Sequence, residues 1–318
     1  MNISLLHITN NYPTSNFPIY GIFVKEQIDS LAIYGIKSTV FFINGKEKGK
    51  IEYIRSYFRL VKFLLKNKFD IIHCHHIYSG ILFMLTGFVF FNKSIISYQN
   101  PPENEGGKFI FKIISMVFDK IIVKDKPRYS KKNKIIYLPN GVDLNLFIPI
   151  NKDIARRQLS LDYDKKYILF FDSNNKKRNQ KRIDKFLEII KTLKNDNFSN
   201  IEPIILTNTQ RFKIPLYLSA ADLYLLTSDF EGSPNAVKEC MACNLNVVTT
   251  PVGNVEELLS DVEGMYIANT FDISELVVLT KKALLNNKCN GRIKIIEKNL
   301  DINSVANKLF NIYRSMLF

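Results

Sequence analysis

The chain has 318 residues, 46% hydrophobic and 12% aromatic, with 44 Lys+Arg against 30 Asp+Glu for a formal net charge of +14. So much apolar chain, about twice the usual domain size, excludes a disordered or collagen-like protein. The basic excess calls for either an anionic partner (nucleic acid, a membrane surface, a phosphorylated ligand) or a coding bias toward Lys, and residues 1–150 hold +10 of it, 20 basic against 10 acidic.

From the start of the chain, Met1 to Ile8 lacks the charged start, apolar run and cleavage site of a signal peptide, so a cytoplasmic location is expected. Short, nearly all-apolar runs follow at Ile3–Ile8, Ser38–Ile43, Asp70–His73, Ser94–Tyr98, Lys120–Val123 and Lys134–Leu138. Such runs suit strands covered on both faces. Helical patterns separate them at Phe23–Tyr34, Ile51–Lys68, Tyr78–Phe91 and Lys108–Phe118. The apolar stretch Gly80–Phe91 is too short to span about 30 Å of hydrocarbon and reads as a buried helix.

After a polar, strand-poor stretch at 151–166 the alternation restarts. Strands are predicted at Tyr167–Phe171, Pro203–Thr207, Leu223–Thr227 and Val247–Thr250, and helices at Arg182–Leu193, Pro234–Ala242, Val255–Leu259 and Ile273–Leu285. Repeated strand and helix imply parallel doubly wound sheets. The α/β chain is thus expected to form two domains, 1–150 and 151–302, with a C-terminal helix at 303–318 able to pack back on the first. In open sheets ligands bind beyond the carboxyl ends of the strands, so a cleft between the two domains is the expected site.

Of the four Cys, Cys240 and Cys243 fall late in an apolar helix pattern with no second pair, which fits core residues better than zinc or redox chemistry. His73, His75 and His76 put three imidazoles in four residues, but alternation points the first two to one face and the third to the other, and a structural or acceptor-side role outweighs a metal. The helix Ile51–Lys68 carries Ile51, Ile54, Phe58, Val61 and Leu65 at helical spacing beside Arg55, Arg59, Lys62 and Lys66. Two readings stand: a helix covering the sheet, or a basic amphipathic helix resting on an anionic membrane.

The densest cluster runs from Leu226 to Asn254. The strand ends at Thr227, and a helix is expected with Ser233 as N-cap and Pro234 at its first position. Glu231 then sits in the strand-to-helix loop, and the unpaired N–H groups near Asn235 and Ala236 form an anion site. Glu239 lies about a turn and a half into the helix.

The block EGSPNAVKECMACNLNVV, continued by TTPVGNVEELL, resembles the Glu-x7-Glu signature of retaining glycosyltransferases of family 4. The resemblance implies the GT-B fold, two Rossmann-like domains facing across a cleft, and a nucleotide-sugar donor, UDP- or GDP-linked, used as substrate with no cofactor. It implies that Glu231 lies against the donor sugar and Glu239 on the nucleotide ribose, with Gly232, Ser233, Pro234, Asn235 and Ala236 lining the donor. Tyr20-Gly21 looks like the family's loop near the donor phosphates, and Arg178 to Arg182 like its diphosphate-binding basic pair, assigned to Arg178 and Lys181. Where many relatives carry a donor-contacting His, this chain has Gln99, which can position but not titrate.

Asp162-Tyr-Asp164 is the chain's Asp-x-Asp triplet, but it lies in the linker, so a metal-independent enzyme is expected, with no metal site. The implied function is a retaining transfer of a sugar from a nucleoside diphosphate to a hydroxyl of a cell-envelope or exopolysaccharide glycan, lipid-linked in one form. Such an acceptor, with the charge of the first half, allows peripheral contact with the inner face of the cytoplasmic membrane. A nucleotide-sugar epimerase of the same two-domain fold is the alternative. A nucleic-acid partner would leave the Glu-x7-Glu block unexplained and is not expected.

Overall fold

The computed structural model describes residues 3–125, 134–172, 179–196, 199–286 and 288–318. The chain divides into two compact units, Met1–Gly141 with Ile302–Phe318, and Val142–Asp301. The division falls before residue 150 because 142–150 are bound into the second unit. There Val142 N–H donates to Leu300 O, Ile150 N–H to Ser219 Oγ, and Phe147 is fully buried.

In the first unit β1 (Ser4–Thr9), β2 (Lys37–Phe42), β3 (Ile71–His75), β4 (Lys93–Ser97), β5 (Lys120–Val123) and β6 (Ile135–Tyr137) pair in parallel, in the order β2-β1-β3-β4-β5-β6. The helices between them are α1 (Ile22–Ser30), α2 (Gly45–Lys48), α3 (Ile51–Lys66), α4 (Ile77–Leu85) and α5 (Gly107–Val117). One face of the sheet, with Leu6, Ile8, Ile72 and Ile96, buries Leu60 and Leu64 of α3, Phe83 of α4 and Ile114 of α5.

Two expectations change here. The apolar run Gly80–Phe91 is not one buried helix: α4 ends at Leu85, Gly87 takes φ 76°, and Phe90 and Phe91 face water. Along α3 the sheet side is Glu52, Ser56, Leu60 and Leu64, whereas Ile51, Ile54, Phe58 and Leu65 are exposed. The stripe with the most regular apolar spacing is not the one that covers the sheet.

The second unit contains α6 (Lys152–Leu159), β7 (Lys166–Phe171), α7 (Ile183–Asn195), β8 (Ile201–Leu206), α8 (Ile214–Ala220), β9 (Leu223–Leu226), α9 (Asn235–Ala242), β10 (Val247–Thr249), α10 (Val255–Leu259), β11 (Met265–Ile267), α11 (Ile273–Leu285) and α12 (Gly291–Glu297). Its parallel sheet has the order β11-β10-β9-β7-β8. Leu169, Tyr224 and Leu226 pack with Val237, Cys240 and Met241 of α9 on one face; Ile168, Phe170 and Leu225 pack with Phe186 and Leu276 on the other. Cys240 and Cys243 are buried free thiols, as their place in the pattern implied.

Helix α6 lies inside the stretch read as a linker. Its apolar face is thin, and its start is set by Asn151, whose side chain accepts from Asp153 and Ile154 N–H. The last helix, α13 (Ile302–Leu317), belongs to the first unit, where Val305, Leu309 and Tyr313 are buried with Leu5, Ile71 and Ile95 on the sheet face opposite α3.

In each sheet the first strand lies between the second and the third: β2 and β3 flank β1, and β8 and β9 flank β7. Loops leaving adjacent strands in opposite directions open a crevice at their carboxyl ends, the usual ligand position in open sheets.

Candidate functional site

In the second unit that crevice lies beyond β7 and β9. The segment Asn179–Arg182 after β7 is stitched to the loop after β9. Gln180 Nε2 donates to Phe230 O (2.7 Å), Asp229 N–H to Gln180 O (3.0 Å), and Thr227 Oγ1 donates to Lys181 O (2.9 Å). The stitching brings Lys181 Nζ to 2.5 Å from Glu231 Oε1, and Ser228 Oγ donates to the same oxygen at 2.9 Å. Glu231 is 12% exposed and Lys181 23%, so both face a partly enclosed space.

Arg182 points away from this pair. At φ 53° it is bound to Asp184 and Asp229, and its hydrogen bonds hold the Asp184 carboxyl below the usual range. Within the basic run, therefore, Lys181 meets Glu231 and Arg182 does not. Arg178 lies outside the described residues.

Helix α9 begins one residue later than its sequence implied. Pro234 is the N-cap, at φ −65° and ψ 110°, and Asn235 is the first helical residue. Ser233 does not cap the helix; its Oγ accepts from the buried Lys238 Nζ at 3.0 Å. The leading N–H groups of α9, from Asn235 through Ala236, have no carbonyl a turn earlier within the helix and carry the positive end of its dipole. The Asn235 Oδ1 beside them is buried without a hydrogen bond in the structure. The far end of α9 is closed by Arg292, whose guanidinium donates to Ala242 O at 3.1 Å and to Leu144 O at 2.8 Å.

Gly232 is locked from the side. Its carbonyl accepts from Asn254 N–H at 3.0 Å, and a Cβ on Gly253, at φ 55°, would stand 2.1 Å from the same oxygen. The loop holding Glu231 thus requires the glycine that follows β10.

Glu239 is buried and its Oε1 accepts from Arg211 Nη1 at 2.7 Å, while the Arg211 guanidinium lies 4.6 Å from the Phe147 ring centroid. Arg211 follows β8 and is invisible to local pattern, because its partner is 28 residues away in sequence. Asp162 and Asp164 precede the amino end of β7, opposite to the end where Lys181 and Glu231 meet, and Asp162 Oδ1 is occupied by Asp164 N–H.

In the first unit, Gly21 caps α1 at φ 69°, and a Cβ there would lie 2.2 Å from the Asn11 carbonyl carbon. Its freedom lets the loop after β1 fold onto the helix start. Gln99, just beyond β4, is fixed by Glu105, which accepts from Gln99 N–H at 2.8 Å and Asn100 N–H at 2.6 Å. The Gln99 side-chain oxygen accepts from Asn140 Nδ2 at 3.4 Å. Burial lifts the Glu105 carboxyl to about 7 despite these bonds, and burial lowers the Lys124 ammonium to about 7.

His73 and His75 do share a face, and the sheet adds His7 opposite His73 on the neighbouring strand. His7 Nδ1 and His75 Nε2 are 3.1 Å apart, and His73 bonds to Tyr313 OH and Ser97 Oγ, each at 2.7 Å. Burial pushes all three imidazoles below their ordinary value, His7 to about 3. Among the described residues they are the one group of three ligating side chains close enough to share an ion, with ligand atoms within 4.8 Å of one another. His73 already has both nitrogens bonded to hydroxyls, which favours a structural network.

Residues 192–286, which run from α7 through α11, match the model of the family described as Glycosyl transferases group 1. The chain is 27% identical to the UDP-Gal:alpha-D-GlcNAc-diphosphoundecaprenol alpha-1,3-galactosyltransferase of Escherichia coli, over 81% of each chain. In fold it is similar to sucrose-phosphate synthase from Thermosynechococcus elongatus (TM-score 0.77, 16% identity, 99% of both chains). It is also similar to HepE of Anabaena, solved with UDP and glucose (TM-score 0.73, 13% identity, 98% of this chain and 100% of that one). None of these supports the epimerase alternative. With its two parallel α/β units the chain has the GT-B fold, and the match over residues 192–286 together with these relatives supports a glycosyltransferase of group 1.

Proposed function

We propose that this enzyme is a retaining glycosyltransferase of family 4, moving a hexose from a UDP-sugar to a hydroxyl of a lipid-linked envelope glycan without a metal ion. The observation that carries the reading is the Lys181–Glu231 pair at the switch point of the second sheet, beside the start of α9. The UDP-galactose donor and diphosphoundecaprenol acceptor in the name of the E. coli relative, and the UDP bound to HepE, support the donor and acceptor classes.

As the bond to the anomeric carbon breaks, negative charge grows on the leaving diphosphate. The Lys181 ammonium has three donors, one of them on Glu231, and the others are available to phosphate oxygen. The α9 amides at Asn235 and Ala236 add donors aimed along the helix axis. Fixed donors at the developing charge contribute about 10²–10³ each to the rate. Arg178 enters as the second cation of the pair on the resemblance alone.

Glu231 acts in positioning. Its Oε1 accepts from both Lys181 and Ser228, which lowers its capacity as a nucleophile, so we favour front-face displacement in which a diphosphate oxygen takes the acceptor's proton. Glu239, oriented by Arg211, is assigned to the nucleotide ribose. Gly21, Gln99, Gly232, Ser233, Pro234, Asn235 and Ala236 are assigned to the donor surface. The distance of Asp162 and Asp164 from the carboxyl end of β7 supports a metal-independent step. A lipid-linked acceptor sets the reaction at the inner face of the cytoplasmic membrane.

Thermal unfolding in the presence of UDP, GDP and ADP, followed by transfer assays from UDP-hexoses to a diphosphate-lipid glycan with and without EDTA, tests the reading. UDP is expected to stabilise most, activity to survive EDTA, and the product to keep the donor's anomeric configuration by NMR. Inverted product ends the retaining assignment, activity restored only by added Mg²⁺ ends the metal-independent one, and product formed without acceptor favours an epimerase.

A further inference from the structure

Lys238 is an ammonium inside the protein. It lies one turn into α9 and is fully buried, in a helix whose other inward residues include the apolar Val237, Cys240 and Met241. Taking a cation out of water is costly, and an apolar side chain at this position would bury at less cost. The Lys238 Nζ donates to Ser233 Oγ at 3.0 Å, and both residues are buried.

This contact turns Ser233 away from the helix. Serine is among the preferred N-cap residues, its oxygen accepting from N–H groups of the first turn. Here no side chain caps α9, and Pro234 takes the N-cap position. With Ser233 Oγ drawn to Lys238, the leading amides of α9 keep their hydrogens for a ligand.

The same contact sets the polarity of the hydroxyl. A serine hydroxyl has one hydrogen to donate and lone pairs with which to accept. With an ammonium on a lone pair, the hydrogen is left to be given in another direction, and among the described residues Ser233 Oγ has no second partner. A cation behind a hydroxyl polarises it and favours an anionic oxygen in front over a neutral one. The backbone around Ser233 has little freedom of its own. Gly232 O accepts from Asn254 N–H at 3.0 Å, and the Pro234 ring fixes the following residue at φ −65°.

We propose that Lys238 is a positioning residue of the donor site, holding the Ser233 hydroxyl as a hydrogen-bond donor to an oxygen of the leaving diphosphate and keeping the first amides of α9 open to the same group. The assignment rests on the nucleotide-sugar reading of this site. It adds a residue that acts on the donor through Ser233, from behind the loop.

The test is steady-state kinetics of the full chain with a UDP-hexose on Lys238→Met, Ser233→Ala, the double variant and Ser233→Thr, beside thermal unfolding with and without UDP. Each single change to Met or Ala strands one buried partner, whereas the double variant replaces both by apolar groups, so its fold is expected to hold even where a single one does not. Lys238→Met and Ser233→Ala are each expected to lower kcat by about 10² with acceptor KM unchanged. The double variant should lose no more than the weaker single one, because both residues act through one contact. Ser233→Thr, which keeps the hydroxyl, should recover most of the rate lost in Ser233→Ala, and UDP should stabilise Lys238→Met less than the wild type. Near-normal kcat in the double variant overturns the inference, as do losses that multiply. A Lys238→Met protein that melts earlier yet keeps kcat and UDP stabilisation overturns it too, since its role would then be structural. A wild type that neither binds UDP, GDP or ADP nor transfers sugar removes the donor reading and this inference with it; a wild type that does both while the double variant matches it removes this inference alone.

Discussion

Lys181 Nζ and Glu231 Oε1 stand 2.5 Å apart although they leave the sheet on different strands, one after β7 and the other after β9. Replacing Lys181 with Met removes the cation that reaches Glu231 and, in the proposed mechanism, the leaving diphosphate. The expected result is a fall in kcat of about 10²–10³ with a smaller change in donor KM, since a fixed donor at developing charge contributes mainly in the transition state. Steady-state kinetics on Lys181→Met and Glu231→Gln check this; near-normal kcat in either removes that residue from the site.

Gly253 and Gly232 meet where no side chain fits. Gly253→Ala places a Cβ at 2.1 Å from Gly232 O on a backbone at φ 55°. The loop must shift, and the expected cost is about 2 kcal/mol, seen as a drop in Tm of roughly 4–8 °C for a unit of this size. Because Glu231 precedes Gly232, kcat falls as well. A variant that keeps both Tm and kcat would show that the loop yields freely.

Arg211 neutralises Glu239 in a nearly buried pair. Arg211→Met strands the carboxylate and is expected to cost about 3 kcal/mol in urea unfolding. Glu239→Gln in the same chain should return part of that loss, because the uncompensated charge is gone. A double-mutant cycle measures the coupling; simple additivity would mean that the pair contributes no interaction of its own.

The histidine network gives the first unit a pH dependence with a definite sign. His7, His73 and His75 stay neutral in the fold below their unfolded value of 6.5, His7 down to about 3. The unfolded chain therefore binds more protons between those limits, and the stability they contribute, complete above pH 6.5, is lost as pH falls toward 3. Glu105 acts in the opposite sense. Its folded value of about 7 exceeds the unfolded 4.5, so its contribution is lost as pH rises through that window. Three imidazoles outweigh one carboxyl, and the urea midpoint should fall between pH 6.5 and 4.5. His7→Gln should flatten the slope, and an unchanged slope would place the protons elsewhere.

Much of the enzyme was legible along the chain because its signals are local. Near-continuous apolar runs, separated by helical periodicity, specify parallel strands and crossover helices without reference to distant residues. Helices α10 and α11 begin and end where their patterns do. The Glu231 loop, with its strand before and helix after, is likewise a contiguous block, so its place in the fold was legible along the chain. Helix α6 was hidden because a short charged helix has little apolar face to betray it.

What the tertiary structure alone decided are the relationships between residues far apart in sequence. Strand register sets His7 opposite His73, and the return of α13 supplies Tyr313 to the same network. The fold of the loop after β8 brings Arg211 to Glu239, and two loops around one switch point join Lys181 to Glu231. The face of α3 that meets the sheet was also undetermined by periodicity. Two stripes ran down that helix, and packing on the sheet selected the one holding Leu60 and Leu64, leaving Ile54 and Phe58 to the solvent. Local sequence specifies which elements form, because propensity and pattern act over a few residues. Which side chains then meet depends on strand order and register, which no short segment contains.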